Sequence, residues 1–140
     1  MYLVDTNVLS ELRLLKDRRG NPQVAAWARL RDPETFYLSA ITLMELEIGV
    51  RRMERRDAAQ GRTLRDWING AILPRYGGRI LPVDDRVASL AASLHVPDPA
   101  PFADSLIAAT AIVHGYAVVT RNARDFQFPG VVVINPWETI

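Results

Sequence analysis

The sequence predicts an α/β fold in which a short, mostly parallel sheet is flanked by helices. Short apolar segments of strand length alternate along the chain with longer segments that have helical spacing. Two of the short segments, residues 117–119 and 131–134, are continuous runs rich in β-branched residues, as expected for strands covered on both faces. No repeat or low-complexity tract interrupts the 140 residues, so we expect one domain over residues 1–140.

Five short apolar segments are predicted to form the strands. The first covers residues 2–4 and ends at Asp5, and the second covers residues 36–38. The third is predicted over residues 79–83, and the two β-branched runs supply the fourth and fifth. Ligand sites in parallel sheets form beyond the carboxyl ends of the strands. Residues that directly follow these segments are therefore the first candidates for function.

The first three predicted helices lie between the first strand and residue 56. Residues 7–15 have helical spacing, and Gly20-Asn21-Pro22 ends that pattern. A second helix starts at Pro22, and a third starts at Thr42 and ends in the arginine-rich run of residues 51–56. The apolar faces are formed by Val24, Trp27 and Leu30 in the second helix, and by Leu43, Leu46 and Val50 in the third.

Three further helices complete the prediction. One spans residues 57–73, and its inward positions are Leu64, Trp67, Ile68 and Ile72. The next is capped by Asp84-Asp85 and runs to Leu94, and a proline-rich loop follows. The last covers residues 102–114 and is closed by Gly115. Because this alanine-rich helix is apolar on nearly every side, we expect it to be buried.

The composition is that of a globular protein, with 49% apolar and 24% charged residues. The chain has no cysteine, which excludes disulfides and thiolate metal sites and fits a reducing cytoplasm. Its first residues lack the basic and apolar regions of a secretory signal, and no apolar run approaches the roughly 20 residues of a membrane span. We therefore expect a soluble, cytoplasmic protein.

The distribution of basic residues says more about partners than the net charge of +1. Lys16 is the only lysine, and residues 51–56 contain four arginines. The planar guanidinium of arginine suits phosphate contacts. A GC-rich genome, whose codons favour arginine, combined with a solvated helix face accounts for the same composition equally well.

Two acidic residues near helix starts each have a structural and a functional interpretation. Asp5 follows the first strand and is typical of an N-cap or an Asx-turn. Glu45 lies three residues after Thr42, which is the spacing of a capping box. Against that role, Glu45 lies between Met44 and Leu46 in an apolar turn, where a carboxylate is costly to bury unless something neutralises it.

Asp104 lies in the first turn of the alanine-rich helix. The helix dipole alone would favour an acid there, but a buried helix entrance without a nearby arginine also suits a cation. If the strand ends converge, then Asp5, Glu45 and Asp104 share one pocket. Two unit charges about 4 Å apart repel by roughly 4 kcal/mol at an effective dielectric near 20. Such a cluster would take up protons or bind a hard divalent cation, and oxygen ligands suit Mg²⁺ or Mn²⁺.

A set of short motifs runs in order from one end of the chain to the other. The motifs are LVDTNVLSE, YLSAITLMELEIGV with Glu45, ILPRYGGRILPVDDRVA, FADSLIAATA with Asp104, VVTRNARDF and the closing NPW. This set resembles the PIN-domain nucleases, specifically the VapC-type toxins of type II toxin–antitoxin pairs and, within them, the FitB-like subgroup. The resemblance implies a three-layer sandwich of helices around the sheet and an acidic metal pocket.

The implied activity is Mg²⁺- or Mn²⁺-dependent endonucleolytic cleavage of RNA, which leaves a 3′-hydroxyl and a 5′-phosphate. By motif, Asp5, Glu45 and Asp104 occupy the invariant catalytic and metal-binding acids of the family pattern. Thr6, Asn7 and Thr120 occupy polar positions that support them.

The fourth acidic position of the pattern differs in this chain. Many relatives have aspartate where Asn122 stands, and others have an acid at the position of Asp125. Both residues are therefore candidate metal ligands, and Asp125 is a candidate fourth catalytic acid. Positively charged residues near the pocket, Arg121 or members of the 51–56 run such as Arg51 and Arg52, would contact the RNA backbone.

The resemblance also implies partners. VapC-like toxins form homodimers and are held inactive by a small antitoxin, in heterotetramers or larger assemblies, and the antitoxin binds operator DNA. Their substrates are usually loops or hairpins of structured RNA. Exposed apolar residues on the first helices, such as Leu12, Leu14 or Trp27, could form the antitoxin interface, although packing in the core explains them as well.

Other functional classes fit the sequence less well. A haloacid-dehalogenase-like enzyme needs a second aspartate two positions after the first, where this chain has Asn7. That class and receiver-like domains use a late lysine, and none follows Lys16. A glycine-rich phosphate loop is absent from the sequence, which excludes a P-loop NTPase. The remaining alternative is a non-catalytic PIN-like module that binds RNA or protein, and the neutral Asn122 is its only support.

Overall fold

The structure is a computed structural model that describes residues 1–138. Within this range five short strands form one sheet with the order β3-β2-β1-β4-β5, and every pairing is parallel. The strands are β1 (Tyr2–Val4), β2 (Phe36–Ser39), β3 (Ile80–Leu81), β4 (Ala117–Val119) and β5 (Val133–Ile134). The predicted parallel α/β sheet is confirmed, although β3 and β5 are shorter than the sequence indicated.

Seven α-helices connect the strands in the described part of the chain. They are α1 (Thr6–Lys16), α2 (Pro22–Arg29), α3 (Ala40–Arg56), α4 (Ala58–Trp67), α5 (Leu73–Tyr76), α6 (Asp85–Ser93) and α7 (Phe102–His114). A single π-helical turn, Ile68–Ile72, joins α4 to α5, so the helix predicted over residues 57–73 is divided. One short 3₁₀ turn (Pro33–Thr35) precedes β2, and another (Ala123–Phe126) follows β4.

The sheet is covered on both faces, which confirms the three-layer arrangement. Because side chains alternate along a strand, Leu3 and Val4 of β1 enter different parts of the core. Val4 packs with residues of α1, α2 and α3, whereas Leu3 packs with the apolar face of α7. Gly115 ends α7 with a φ of 72°, a left-handed conformation that glycine adopts without the clash of a Cβ.

The apolar residues proposed for an interface lie mostly in the core. Trp27 is only 4% exposed and stacks on Phe36, and Leu12 packs against the same cluster. Leu14 is half-buried. The packing alternative is therefore correct for Trp27, because the period-three pattern of α2 directs this ring at β2. None of the helices in residues 1–138 combines the length and apolarity that crossing a membrane would require.

The strand order determines where a site can form. After β1 the chain moves to β2 and β3 on one side, and it then returns to place β4 on the other side of β1. The first and fourth strands are therefore neighbours at the point where the order reverses. In open parallel sheets the loops diverge at such a point and leave a crevice at the carboxyl edge. Asp5 and Thr120 follow these two strands directly.

Candidate active site

The centre of the site is the contact between Asp5 and Thr120. Val4 and Val119 are paired in the sheet, and the backbone N–H of Asp5 donates to the carbonyl of Val119 at 2.9 Å. This register brings the next residues together, so the buried Thr120 hydroxyl donates to Asp5 Oδ2 at 2.8 Å. The parallel pairing of β1 with β4 thus fixes the position of the carboxylate.

Asp5 caps α1, as its sequence position predicted, and also contacts Thr120. Its Oδ1 atom accepts a hydrogen bond from the backbone N–H of Thr6 at 2.8 Å and caps α1. Its Oδ2 atom points to Thr120, and the residue is only 8% exposed. Because the two oxygens have different partners, capping α1 does not remove the carboxylate from the crevice.

Glu45 lies in the second turn of α3, so the capping box predicted from Thr42 is wrong. The hydroxyl of Ser39, at the end of β2, accepts from the N–H of Ile41 and starts the helix earlier. Thr42 is consequently inside the helix, and its buried hydroxyl has no hydrogen-bond partner among the described residues. The Glu45 carboxylate instead accepts from the Thr6 hydroxyl at 3.1 Å, on the helix that Asp5 caps.

Burial is the main reason that the pKa of Glu45 is raised. The negative charges of Asp5 and Asp104 raise this pKa further, and the hydrogen bond from Thr6 partly offsets the effect. The pKa of Asp104 is also raised, first by burial and then by the charges of Asp125 and Asp5. The acids of the sequence prediction are therefore close enough to repel one another.

Asp104 is the third residue of α7, and a histidine–serine contact holds the beginning of this helix. His95 Nε2 lies 2.9 Å from the Ser105 hydroxyl, which donates to the carbonyl of Phe102. The backbone N–H of Ala100 donates to His95 Nδ1, so the neutral ring carries its proton on Nε2. This contact was not predicted from the sequence. The one signal available was a histidine at the start of the proline-rich loop before α7.

The polar residues around the acids form one network. Thr120 Oγ1 accepts from the side-chain amide of Asn7 at 3.3 Å and from the backbone N–H of Asn122 at 3.1 Å. The side-chain oxygen of Asn7 accepts from the backbone N–H of Arg121 at 3.1 Å. Thr6, Asn7 and Thr120 thus hold the acids and the segment after β4 in one arrangement.

The remaining candidates differ in how they contact the acids and the network around them. Asp125 is near enough for its charge to act on Asp104, whereas Asn122 contacts the network through its backbone. Arg121 follows Thr120 directly, and its guanidinium lies over the ring of Trp137. Arg51 pairs with Glu47 at 3.7 Å, and both Arg51 and Arg52 are exposed on α3.

The acids have the donor chemistry of a site for a hard divalent cation. Within residues 1–138, Asp5, Glu45, Asp104 and Asp125 make no ion pair with lysine, arginine or histidine. In the same range no three acidic or histidine side chains stand in positions to hold a metal ion directly. Mg²⁺ usually retains several waters and takes only one or two carboxylates. A loose group of carboxylates without a cationic neighbour fits such an ion.

One concavity in the described residues lies away from this site, and another adjoins it. A concavity of about 830 Å³ lies beside α2, with Trp27, Leu30 and Arg31 in its walls, and no candidate acid lines it. A second pocket of about 430 Å³ includes Arg121, Asn122 and Asp125. The second pocket belongs to the candidate site, because the hydrogen-bond network connects it to Asp5.

Glu45→Gln is expected to stabilise the protein when no divalent cation is present. Because the pKa of Glu45 is raised on folding, the folded protein binds more protons than the unfolded chain at pH values between the two pKa values. The free energy of unfolding therefore falls as pH rises through that interval. The neutral amide removes this penalty and can still accept from Thr6. We expect a gain of about 0.5–2 kcal/mol in the free energy of unfolding at pH 7, shrinking toward pH 4.

Urea unfolding of the chelator-treated protein measures this gain. Glu47→Gln is the matched control, because the Glu47 carboxylate accepts from Arg65 at 2.8 and 2.9 Å and its loss should destabilise the protein. Added Mg²⁺ should stabilise the unmodified protein more than the Glu45→Gln variant. A destabilised Glu45→Gln variant at pH 7 would contradict our account of the raised pKa of Glu45.

Comparison with known proteins agrees with this fold. Residues 2–129 match the sequence profile of the PIN domain. The chain is 40% identical to a VapC ribonuclease of Sinorhizobium fredii over 99% of both chains. It is also 40% identical to the toxin FitB of Neisseria gonorrhoeae over 98% of this chain and 99% of that protein. A chain in the solved structure of FitAB bound to an IR36 DNA fragment matches with a TM-score of 0.86 and 36% identity, covering 100% of this chain and 98% of that chain.

Proposed function

Because this chain belongs to the PIN-domain family, we propose that it is a divalent-metal-dependent endoribonuclease and the toxin of a toxin–antitoxin pair. One observation carries the proposal. At the carboxyl edge of the sheet, Asp5, Glu45 and Asp104 form one group that, within residues 1–138, makes no ion pair with a cationic side chain. Burial first, and then the negative charges of neighbouring acids, raises the pKa values of Glu45 and Asp104. The relatives that carry the names of ribonuclease and toxin align with the chain from end to end.

In this proposal Asp5, Glu45 and Asp104 would hold Mg²⁺ or Mn²⁺, in part through waters that the ion retains. When bound, the ion supplies charge neutralisation at the scissile phosphate and lowers the pKa of a water. Hydrolysis adds the water oxygen to phosphorus and breaks the P–O3′ bond, and the leaving oxygen takes up a proton. The products are a 3′-hydroxyl and a 5′-phosphate.

The supporting residues act on the acids rather than on the substrate. Thr120 orients Asp5, Thr6 orients Glu45, and Asn7 links Thr120 to the backbone of Arg121. Partners outside the ligand shell commonly contribute roughly 10- to 100-fold to metal affinity or activity. These hydroxyls and the amide therefore preorganise the ligand oxygens.

Asp125 is the better candidate for the fourth acid. Its charge reaches Asp104, whereas the contact of Asn122 with Thr120 uses the backbone. An amide oxygen is a weaker ligand for Mg²⁺ than a carboxylate, so Asn122 would contribute less to a metal site. Among the arginines, Arg121 is better placed than Arg51 or Arg52 to contact the RNA backbone, because it directly follows Thr120.

We further propose that residues 1–140 form a single PIN domain that acts in the cytoplasm as a homodimer. A small antitoxin would inhibit it in a heterotetramer or larger assembly and would bind operator DNA. The relative solved as FitAB on a DNA fragment supports this arrangement. We expect structured RNA as the substrate, since sequence-specific RNA recognition mostly targets unpaired loops. A non-catalytic RNA-binding module is the second candidate, favoured only by Asn122.

The direct test is cleavage of a structured RNA by the protein purified without a partner. We expect cleavage with Mg²⁺ or Mn²⁺, none with EDTA, and a loss of at least roughly 100-fold in Asp104→Asn. Binding of Mn²⁺ by calorimetry separates the two candidates. A bound ion without RNA turnover would favour the binding module, and turnover that survives EDTA would exclude the metal mechanism.

A further inference from the structure

A polar pocket of about 430 Å³ adjoins the acids, and most of its lining lies outside the proposed metal site. It is lined by Arg121, Asn122, Ala123, Arg124, Asp125, Asn135 and Glu138. The volume falls within the usual range of small-ligand pockets, roughly 300–1,000 Å³. The two guanidinium groups and two amides are suited to a phosphate and its attached nucleoside as long as an arginine is not already paired with Asp125 or Glu138, the two carboxylates of the pocket.

Three hydrogen bonds connect this pocket to the carboxylate of Asp5. The Arg121 backbone N–H donates to Asn7 Oδ1 at 3.1 Å, and the Asn7 amide donates to Thr120 Oγ1 at 3.3 Å. Thr120 then donates to Asp5 at 2.8 Å. The backbone of Arg121 is therefore fixed relative to Asp5, and its side chain lines the same pocket as Asp125, whose charge reaches Asp104.

Trp137 fixes the guanidinium of Arg121. The guanidinium carbon lies 5.3 Å from the centroid of the Trp137 ring, within the range of a cation–π contact. Asn135 holds the tryptophan in place, since its Oδ1 accepts from the Trp137 N–H at 3.0 Å and its Nδ2 donates to the Arg121 carbonyl at 3.3 Å. The turn of residues 135–137 thus binds the backbone of Arg121 and lies beside its side chain.

This arrangement leaves the charge of Arg121 available. Arg121 and Asp125 line the same pocket, yet in residues 1–138 Arg121 makes no ion pair with an acid. Arg65, by contrast, is paired with both Glu47 and Glu54. An arginine that already contacts carboxylates has fewer donors to offer a phosphate. The aromatic contact orients Arg121 without using those donors.

We propose that Trp137 is a positioning residue that holds Arg121 to bind the phosphate of a nucleotide next to the scissile bond, in the pocket beside the acids. This inference rests on the proposed ribonuclease function. The arginine offsets the repulsion between the carboxylates and the incoming RNA backbone, and Asn122, with an exposed side chain, faces the attached nucleoside.

The test measures RNA binding separately from cleavage. The probe is a fluorescein-labelled single-stranded RNA of about 12 nucleotides, and anisotropy is recorded over a range of salt concentrations with the Asp104→Asn protein. Adding Trp137→Leu or Arg121→Gln should weaken binding roughly three- to tenfold. Each should reduce the slope of log affinity against log salt by about 0.7, the loss of one phosphate contact to a single strand. Trp137→Phe, which keeps an aromatic face, should restore most of the affinity.

A matched control comes from another arginine–tryptophan pair, in which Arg13 lies 5.5 Å from the Trp67 ring centroid. Trp67→Leu should leave the salt slope unchanged, because this pair is not in the pocket. In the cleavage-competent protein, Trp137→Leu should raise KM more than it lowers kcat. Unchanged binding and KM in both Trp137→Leu and Arg121→Gln, with cleavage intact, would overturn this inference alone. If the unmodified protein neither binds nor cleaves RNA, the proposed function is wrong and this inference with it.

Discussion

Asp5→Asn is expected to reduce RNA cleavage by roughly 100-fold or more at a fixed Mg²⁺ concentration, with a loss of about 1–3 kcal/mol in the free energy of unfolding. Asparagine has the same shape, and it is as good an N-cap as aspartate. Its oxygen can accept from the Thr6 N–H. Its amide then faces Thr120 Oγ1, which already accepts from Asn7 and from the Asn122 N–H, so the hydrogen bond from Thr120 is lost together with the negative charge. Because a divalent cation depends on that charge, metal affinity and cleavage should fall together.

The measurement combines single-turnover cleavage of a structured RNA with calorimetry of Mn²⁺ binding. Asp84→Asn is the matched control, since Asp84 caps α6 by accepting from the Val87 N–H at 2.9 Å and is not in the acid group. That variant should cleave RNA at the normal rate. Higher Mn²⁺ should partly restore the activity of Asp5→Asn. Full activity in Asp5→Asn at limiting metal would remove Asp5 from the proposed ligand set.

The elements that the sequence predicted best have both a clear pattern and a clear end signal. Helix α7 has the predicted bounds, because its apolar face is continuous and Gly115 stops it. Helix α3 was predicted to start at Thr42 and begins at Ala40, since Ser39 provides an earlier cap at the end of β2. Two acceptable capping residues three positions apart compete for the same helix, and the end of the preceding strand decides between them.

Strand and helix lengths depended on tertiary contacts that no local pattern contains. The apolar runs predicted as the third and fifth strands extend beyond β3 and β5, because only the residues that meet a neighbouring strand are paired. The helix after Asp57 has the predicted inward face, but its backbone widens into a π-turn at Ile68–Ile72. Helical periodicity alone does not distinguish such a turn from a regular helix.

The sequence predicted only part of the candidate site. The acids after strands or in early helix turns could be identified from their positions, and the parallel pairing of β1 with β4 explains why Asp5 meets Thr120. The contact of His95 with Ser105, and that of Trp137 with Arg121, join segments whose spacing follows no local rule. Such partners become visible only when the strand order is known.

Phe126→Ala is expected to cause a large loss of stability, about 3–5 kcal/mol in the free energy of unfolding. Phe126 is 1% exposed and packs with Leu3, Ile107 and Val118 on the α7 side of the sheet. Alanine would leave a cavity that the surrounding strands and helix cannot fill. For a domain of this size the melting temperature should fall by roughly 10 °C or more.

The same substitution connects the core to the site, because Phe126 ends the 3₁₀ turn that carries Asp125. Thermal and urea unfolding measure the stability, and Phe102→Ala is the matched control, since Phe102 is 77% exposed and should cost less than about 1 kcal/mol. Phe126→Leu should recover most of the loss by refilling the space. If Phe126→Ala melted within about 2 °C of the unmodified protein, Phe126 would not anchor the turn. The position of Asp125 would then have to depend on its own hydrogen bonds, of which the backbone bond from its N–H to the Asn122 carbonyl at 3.0 Å is the main one.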